Sequence, residues 1–310
     1  MEGFDERATV SARALSGLGC MLGAMALIPA GDAIAKHLLA TTSHSAGFLA
    51  WTRFAVGAVL VVPFAWSAFD ARALGPRFLG QQLLRAALIA ATIVLIITAV
   101  GKSPLPNVFG AFFVGPLVSL VLAVLWLKER AGALEWVSVA LGFVGVLLVV
   151  RPGGTLDAGL LWALAAGVCY GAFLATTRWA AGHGAPRVQL AAQLVLGGLM
   201  LLPFAATDLV AGAVDRPSWL VAMCLCSVTA NLLSLMAYAR AGAAWLAPVV
   251  YVQLLAASAL GVIFFDDRIG ATTAAGLALI LLTGLMRLPL GRRAKDGAAR
   301  RAASRRQARE

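Results

Sequence analysis

The sequence predicts an all-α integral membrane protein of ten transmembrane helices, arranged as two inverted repeats of five helices. Three observations predict this fold class. Apolar residues make up 61% of the 310 residues and charged residues only 13%, which is about half the share of charge in soluble domains. Ten apolar segments alternate with short polar connections. Two stretches of sequence also recur at a nearly constant separation.

The ten spans follow from the length of the apolar segments. A transmembrane helix needs about 20 predominantly apolar residues, and charged residues, proline and glycine mark where each segment ends. The predicted spans cover residues 14–38, 47–67, 79–99, 104–126, 133–150, 157–178, 188–207, 217–238, 243–264 and 270–289. Because the connections between them are short, the chain has no room for an extramembrane domain between two spans.

The repeat is visible in two pairs of segments. FAVGAVLVVPFA (54–65) aligns with LVLGGLMLLPFA (194–205). AVLWLKER (123–130) aligns with GVIFFDDR (261–268), at nearly the same separation along the chain. The repeating unit therefore contains five spans. Since five is odd, the second unit enters the membrane from the opposite side, an arrangement that brackets a site near the middle of the bilayer.

These boundaries divide the chain into four parts. We expect a cytoplasmic N-terminal segment (1–13), a first repeat (14–151), a second repeat (152–289) and a basic cytoplasmic tail (290–310). With the N-terminus inside, eleven Lys and Arg residues outside the tail fall on the inner side, Arg85 among them, and six fall on the outer side. This bias predicts that both termini are cytoplasmic.

The net charge of +11 is concentrated at the C-terminus. Eight Lys or Arg residues lie between Gly291 and Glu310. A basic segment that directly follows a membrane span is typical of an anchor against anionic lipid. We therefore expect lipid, and not nucleic acid, as the partner of the tail.

The first two spans carry charges inside apolar sequence. Asp32 and Lys36 are four residues apart on one helical face, which allows an ion pair, and Arg53 begins the second span at a comparable depth. Two interpretations remain open and do not exclude each other. In the first, the three side chains form a closed network that holds helices together or gates a cavity. In the second, Asp32 meets a cationic group or a proton, while Arg53 or Lys36 meets a carboxylate or phosphate.

Further candidates for substrate binding or gating lie in or at the ends of other spans. They are Trp51, for stacking on a substrate; Pro116, which loosens the fourth span; and Tyr251, Gln253 and Asn231, as polar groups inside spans. Gln253 and Asn231 are also suited to hydrogen bonds between helices. His37 is interpreted as a residue of the membrane interface.

No catalytic or metal-binding pattern is present in the sequence. The three histidines lie near span ends without the spacing of metal ligands, and there is no phosphate-binding glycine loop. We therefore expect no enzyme activity, no cofactor and no bound metal. Direct ATP hydrolysis by this chain is excluded as a source of energy.

Several segments resemble one family of membrane proteins. LKERAGALEWVSVALGFVGVLLVVRPG (127–153) and AWLAPVVYVQLLAASALGVIFFDDRIG (244–270) resemble the ends of two EamA repeats, and GDAIAKHL (31–38) and WTRF (51–54) fit the first two helices. The chain thus resembles the EamA-type, ten-helix transporters of the drug/metabolite transporter superfamily. One departure is Asp266-Asp267, where the family usually has Gly-Glu.

The resemblance implies a function. The Asp-x-x-x-Lys of the first helix and the Ala-Pro-x-x-Tyr-x-Gln-Leu of the ninth are similar to those of S-adenosylmethionine and riboflavin transporters. It implies a secondary transporter that moves a small amphipathic metabolite through a cavity between the repeats by alternating access. The alternative is a scaffold or sensor on the same fold that transports nothing. The sequence leaves open whether the chain forms a homodimer.

Overall fold

The structure is a computed structural model that describes residues 2–67, 75–128, 132–150, 157–180, 185–212, 214–240 and 246–286. Every regular element in these ranges is helical. The helices are α1 (Glu2–Thr41), α2 (Ala46–Trp66), α3 (Pro76–Val100), α4 (Leu105–Phe112), α5 (Val114–Leu125), α6 (Ala133–Val150), α7 (Ala158–Trp179), α8 (Pro186–Ala211), α9 (Pro217–Arg240), a 3-10 helix (Ala247–Tyr251), α10 (Val252–Phe265) and α11 (Ala271–Met286).

These helices confirm the ten predicted spans. Seven segments of the described chain are long and apolar enough to cross a membrane, and α4 and α5 together form one of them, Leu105–Leu125. Shorter apolar helices supply the other three spans: α6, the 3-10 helix continued by α10, and α11. One boundary differs from the prediction. α1 begins at Glu2 and not near residue 14, so helix precedes the first apolar segment.

The helix packing shows the relation between the two repeats. α1 packs against α9, and their equivalents α7 and α3 pack against each other. α2 packs against its own equivalent α8, and α6 against its own equivalent α11. α1 also lies against α10, as α7 lies against α5. Each contact is repeated when the two halves are exchanged, as expected for a two-fold related pair of repeats.

Glycines allow the fifth and tenth spans to meet closely. A Cβ atom built on Gly276 would lie 2.6 Å from the carbonyl oxygen of Gly145, and one built on Gly145 would lie 3.0 Å from the carbonyl oxygen of Gly276. The first distance is too short for a side chain, and the second would require the facing backbone to shift. Small residues at such positions let helix backbones approach each other in a membrane, where packing drives association.

The fourth and ninth spans are interrupted at similar places. α4 ends at Phe112, four residues before Pro116, and α5 begins at Val114. A proline ring collides with the carbonyl group four residues earlier and lacks an N–H to bond it, so the break lies where Pro116 predicts it. In the second repeat, the 3-10 helix Ala247–Tyr251 includes Pro248 and precedes α10.

The outer surface of the bundle is apolar and the interior is tightly packed. Leu38, Leu49, Phe109 and Leu254 are fully or almost fully buried in one core that spans both repeats. Large apolar side chains such as Phe64 and Phe204 are 72% and 62% exposed. Such a surface is suited to contact with lipid.

Candidate functional site

Polar side chains gather near both ends of the bundle. We call the end at which α1 leads into α2 the Lys36 end, and the opposite end the Arg85 end. The orientation predicted from the Lys and Arg distribution would place the Lys36 end outside the cell. Each end contains contacts that join the first repeat to the second.

Lys36 and Asp267 form the ion pair at the centre of the Lys36 end. The Nζ atom of Lys36 donates to both carboxylate oxygens of Asp267, at 3.2 and 3.1 Å, and to the carbonyl oxygen of Ser103 at 3.4 Å. The same Nζ lies 4.7 Å from the centre of the Phe265 ring. α1 of the first repeat is thereby joined to the end of α10 in the second.

Asp267 also holds the start of α4. Its Oδ2 accepts a hydrogen bond from the backbone N–H of Leu105 at 2.8 Å, and the first N–H groups of a helix have no partner within the helix. One carboxylate therefore connects Lys36 of α1 with the first turn of α4. Loss of Asp267 would free both groups at once.

The turn that carries Asp267 explains the departure from the Gly-Glu of the family. Asp266 has φ +52°, in the left-handed region. Asp tolerates this conformation better than most residues because its short polar side chain bonds locally. Lys128, the aligned residue of the first repeat, has φ +56°. The two turns share a backbone shape that glycine favours, although neither has glycine.

Asp32 and Arg53 form a second, more deeply buried ion pair. Nη1 of Arg53 donates to Oδ1 of Asp32 at 2.6 Å, and Nη2 donates to the carbonyl oxygen of Gly31 at 2.7 Å. Both side chains are buried, with 8% of Arg53 and 4% of Asp32 exposed. The pair joins α1 to α2 within the first repeat.

The ion pair that the spacing of Asp32 and Lys36 allows does not form, because each residue binds another partner. Both residues lie in α1 as expected, but Lys36 binds Asp267 and Asp32 binds Arg53. The three charges do not form one closed network. The physical reason is that each side chain reaches a partner on another helix. Arg53 of α2 lies within reach of Asp32, and Asp267, at the end of α10, lies within reach of Lys36.

Two further contacts join the repeats at the Lys36 end. The hydroxyl group of Ser103 donates to Asp157, whose other carboxylate oxygen accepts from the N–H of Gly159 at 3.0 Å. Asp208 of α8 accepts from the N–H and the hydroxyl group of Ser45, at 3.1 and 2.7 Å. These contacts tie α7 to the end of α3, and α8 to the start of α2.

The remaining predicted residues are spread over the bundle. Trp51 stacks on Phe48 at 6.3 Å between ring centres, and Tyr251 lies 5.2 Å from the ring of Phe113, at the break in the fourth span. Pro116 is half-buried in the first turn of α5.

The two amide residues differ in burial. Gln253 is buried at 7% exposure. Asn231 is exposed and donates to the carbonyl oxygen of Ser227 in its own helix at 3.0 Å. The interhelical hydrogen bond expected of Asn231 is therefore absent among the contacts of the described residues. The backbone carbonyl one turn earlier is the nearer acceptor.

The Arg85 end contains a buried cluster that the sequence analysis missed. The sequence predicts for Arg85 only a positive charge on the inner side of the membrane, whereas its side chain is 5% exposed between α3, α7 and α8. Its hydrogen-bond partners are Gln82, Thr177, Gln189 and Gln193. The signal that would have found it is the helical spacing of the glutamines, at 81 and 82 before Arg85 and at 189 and 193 in α8.

The ten apolar spans of the described chain, packed as two interlocked repeats, define a polytopic membrane protein. Comparison with known families identifies the family to which the chain belongs. Residues 10–151 and 157–286 each match the model of the EamA-like transporter family. The chain belongs to this family, a branch of the drug/metabolite transporter superfamily.

Several bacterial relatives are similar over part of the chain. Protein RarD of Streptomyces exfoliatus is 33% identical over 101 residues, which is 33% of this chain and 32% of the relative. Protein RarD of Salmonella typhimurium is 27% identical over 172 residues, 54% of each chain. The riboflavin transporter of Vibrio cholerae is 26% identical over 105 residues, 34% of this chain and 35% of that one. The chain therefore aligns with only about a third to a half of the length of these relatives.

The fold is also found in a solved crystal structure. It superposes with a TM-score of 0.56 over 91% of this chain and 98% of the other, at 16% sequence identity. At this identity the likeness concerns the fold alone. It supports the helix arrangement described above.

Proposed function

We propose that the protein is a secondary transporter of the bacterial inner membrane that moves a small amphipathic metabolite by alternating access between its two repeats. The observation that carries this proposal is the Lys36–Asp267 ion pair. It joins the repeats at one end of the bundle by a contact between two side chains. Its separation, together with that of the Ser103–Asp157 and Ser45–Asp208 contacts, would open that end without unfolding a helix.

The Lys36–Asp267 pair has properties suited to a gate. Its side chains are 17% and 9% exposed, so water reaches the pair at its edge. Separating a largely buried ion pair is costly unless water solvates the charges as they part. The partly exposed edge at Lys36 allows this solvation, so the pair would break more easily than the Asp32–Arg53 pair, whose side chains are 8% and 4% exposed.

The Asp32–Arg53 pair has a different role in this proposal. It is more deeply buried and joins two helices of the same repeat, so it would stay intact when the Lys36–Asp267 pair breaks. Trp51, Tyr251 and Gln253 would contribute to the walls of the substrate path, and Pro116 would allow the fourth span to bend. The riboflavin transporter among the relatives favours a vitamin-like substrate. Amino-acid-like substrates and nucleoside-like substrates such as S-adenosylmethionine are the other classes in this proposal.

Flux through the purified protein tests the proposal. The protein is reconstituted into proteoliposomes, and uptake of a panel of labelled amino acids, nucleosides and vitamins is compared with uptake into empty liposomes. We expect saturable uptake of at least one compound. Uptake of none by a correctly folded preparation, in either direction of the gradient, would favour the alternative, a scaffold or sensor without transport.

A further inference from the structure

The guanidinium group of Arg85 is buried without a negatively charged partner among the described residues. Nη1 donates to Oε1 of Gln82 at 2.7 Å and to Oε1 of Gln189 at 2.8 Å. Nη2 has an acceptor only at 3.5 Å, Oε1 of Gln193, and Nε donates to the hydroxyl oxygen of Thr177 at 3.2 Å. The guanidinium carbon lies 5.6 Å from the centre of the Phe173 ring. Every one of these groups is uncharged.

The equivalent site of the other repeat differs, because its buried arginine has a negatively charged partner. Arg53 lies at the junction of α1, α2 and α9, and Arg85 lies at the junction of α7, α8 and α3, which corresponds to it when the repeats are exchanged. Gln193 aligns with Arg53, since each directly precedes one of the two aligned segments that begin at 54 and 194. The charge at the first junction is balanced by Asp32 at 2.6 Å. The charge at the second is not balanced by any described carboxylate.

A buried charge that is hydrogen-bonded but not neutralised is costly. Amide oxygens satisfy the N–H groups of a guanidinium, but the penalty for removing the charge from water remains several kcal/mol in order of magnitude. An anionic group beside Arg85 would remove most of this penalty. The cluster is therefore better suited to an anion than to its own neutral partners.

Unused hydrogen-bonding groups lie next to the charge. Nε2 of Gln82 is buried and has no partner among the described residues, and it is bonded to the same carbon as the Oε1 that accepts from Arg85. Both amide atoms of Gln81, on the preceding residue, are likewise buried without a partner among the described residues. Buried polar groups are seldom left unpaired. Gln82 thus offers an N–H donor beside a guanidinium whose Nη2 has only a long contact.

We propose that Arg85 binds the carboxylate or phosphate group of the transported solute, with the amide N–H of Gln82 as an additional donor. A guanidinium presents paired N–H groups that match the two oxygens of such an anion, and the long contact from Nη2 to Gln193 is the one that the solute would replace. The inference rests on the proposed transport function and deepens it. The solute carries an oxyanion.

The location of Arg85 fits a site inside the transport path. It lies nine residues after the first residue of α3, about 13 Å along the helix axis at 1.5 Å per residue. It is contacted by both repeats, since α3 belongs to the first and α7 and α8 to the second. The anionic group of a solute would reach Arg85 when helices of the two repeats separate at this end.

Matched pairs of solutes that differ only in the anionic group test the inference. Suitable pairs are riboflavin 5′-phosphate with riboflavin, and amino acids with their amides. Uptake into proteoliposomes is measured for the wild type, Arg85→Gln and Arg187→Gln. Arg187 is the control because it is an exposed arginine of α8 that donates to the hydroxyl group of Ser67.

We expect the wild type and Arg187→Gln to prefer the anionic member of a pair. Arg85→Gln should lose this preference by tenfold or more, about the loss of one charge-assisted hydrogen bond.

The outcomes separate the two proposals. If the wild type transports no member of any pair or of the wider panel, the transport function itself is wrong. If the wild type transports solutes but prefers the neutral members, or Arg85→Gln retains the anion preference, only the role of Arg85 is wrong. Should Arg85→Gln fail to fold, Arg85→Lys keeps the charge without the paired donors. It is expected to lower the preference for the anion, and an unchanged preference would contradict the role.

Discussion

Arg53 and Arg85 are both buried, but different kinds of group bind their guanidinium charges. Taken as whole residues, Arg53 is 7% exposed and bound to a carboxylate, whereas Arg85 is 5% exposed and bound to neutral groups. The difference in partner, and not in burial, separates a structural ion pair from a candidate ligand site. At the scale of the residue, the Asp32–Arg53 pair therefore yields a prediction about stability.

Replacing Asp32 by Ala should lower the free energy of unfolding by about 3–5 kcal/mol, because Arg53 is left buried without its counter-charge. Replacing both residues together, with Asp32→Leu and Arg53→Met, should cost much less, since no unpaired charge remains. Unfolding of the purified protein by sodium dodecyl sulfate in mixed micelles, followed by tryptophan fluorescence, measures both. Asp215→Ala is the control, because Asp215 is an exposed aspartate near the same end of the bundle. A double variant as unstable as Asp32→Ala would contradict this explanation.

Single helices of the bundle are shaped by proline and glycine. The proline at 116 divides the fourth span into α4 and α5, and the glycines at 145 and 276 bring α6 and α11 into backbone contact. The fifth and tenth spans are short, with 18 residues in α6 and 16 in α11. Their stability therefore depends strongly on their mutual packing.

A methyl group at position 276 tests this packing. Gly276→Ala should destabilise the protein by about 1–3 kcal/mol, the usual cost of overpacking, since its Cβ would lie 2.6 Å from the carbonyl oxygen of Gly145. Gly80→Ala in α3 is the matched control, because a Cβ there meets no atom within 4 Å. The control should be neutral or stabilised by up to about 1 kcal/mol through helix propensity. Thermal unfolding in detergent measures both, and equal effects would show that the two spans do not meet as described.

The whole molecule is closed at the Lys36 end by contacts between its repeats. Lys36 binds Asp267, Ser103 binds Asp157, and Asp208 binds Ser45. Each of these contacts joins residues of different repeats. Opening of this end therefore requires all three contacts to break, as helices of one repeat move relative to helices of the other.

A reversible cross-link across the Lys36–Asp267 contact should stop transport. Lys36→Cys and Asp267→Cys are introduced into a variant in which the four native cysteines are replaced, and they are joined by a reducible bis-methanethiosulfonate reagent. We expect uptake to fall at least tenfold and to recover after reduction, because the repeats cannot separate while joined. The two single-cysteine variants, treated in the same way, are the controls. Full uptake by the cross-linked protein would exclude this contact as a gate.

The amino-acid sequence by itself determined the features that depend on local composition. Ten apolar segments of sufficient length, an odd repeating unit and the proline of the fourth span predict the spans, the inverted repeats and the break at Pro116 without knowledge of any contact. These properties follow from the length and polarity that a bilayer demands of each segment.

Tertiary structure alone decided which charges meet. Lys36 has Asp32 four residues away and pairs instead with Asp267, 231 residues along the chain. Arg85, a cation near a span end in the sequence, is buried in a cluster of glutamines. Such partners are set by how helices of the same repeat and of different repeats pack against each other. The free energy of a buried charge depends on groups from several helices at once, which no single segment of sequence contains.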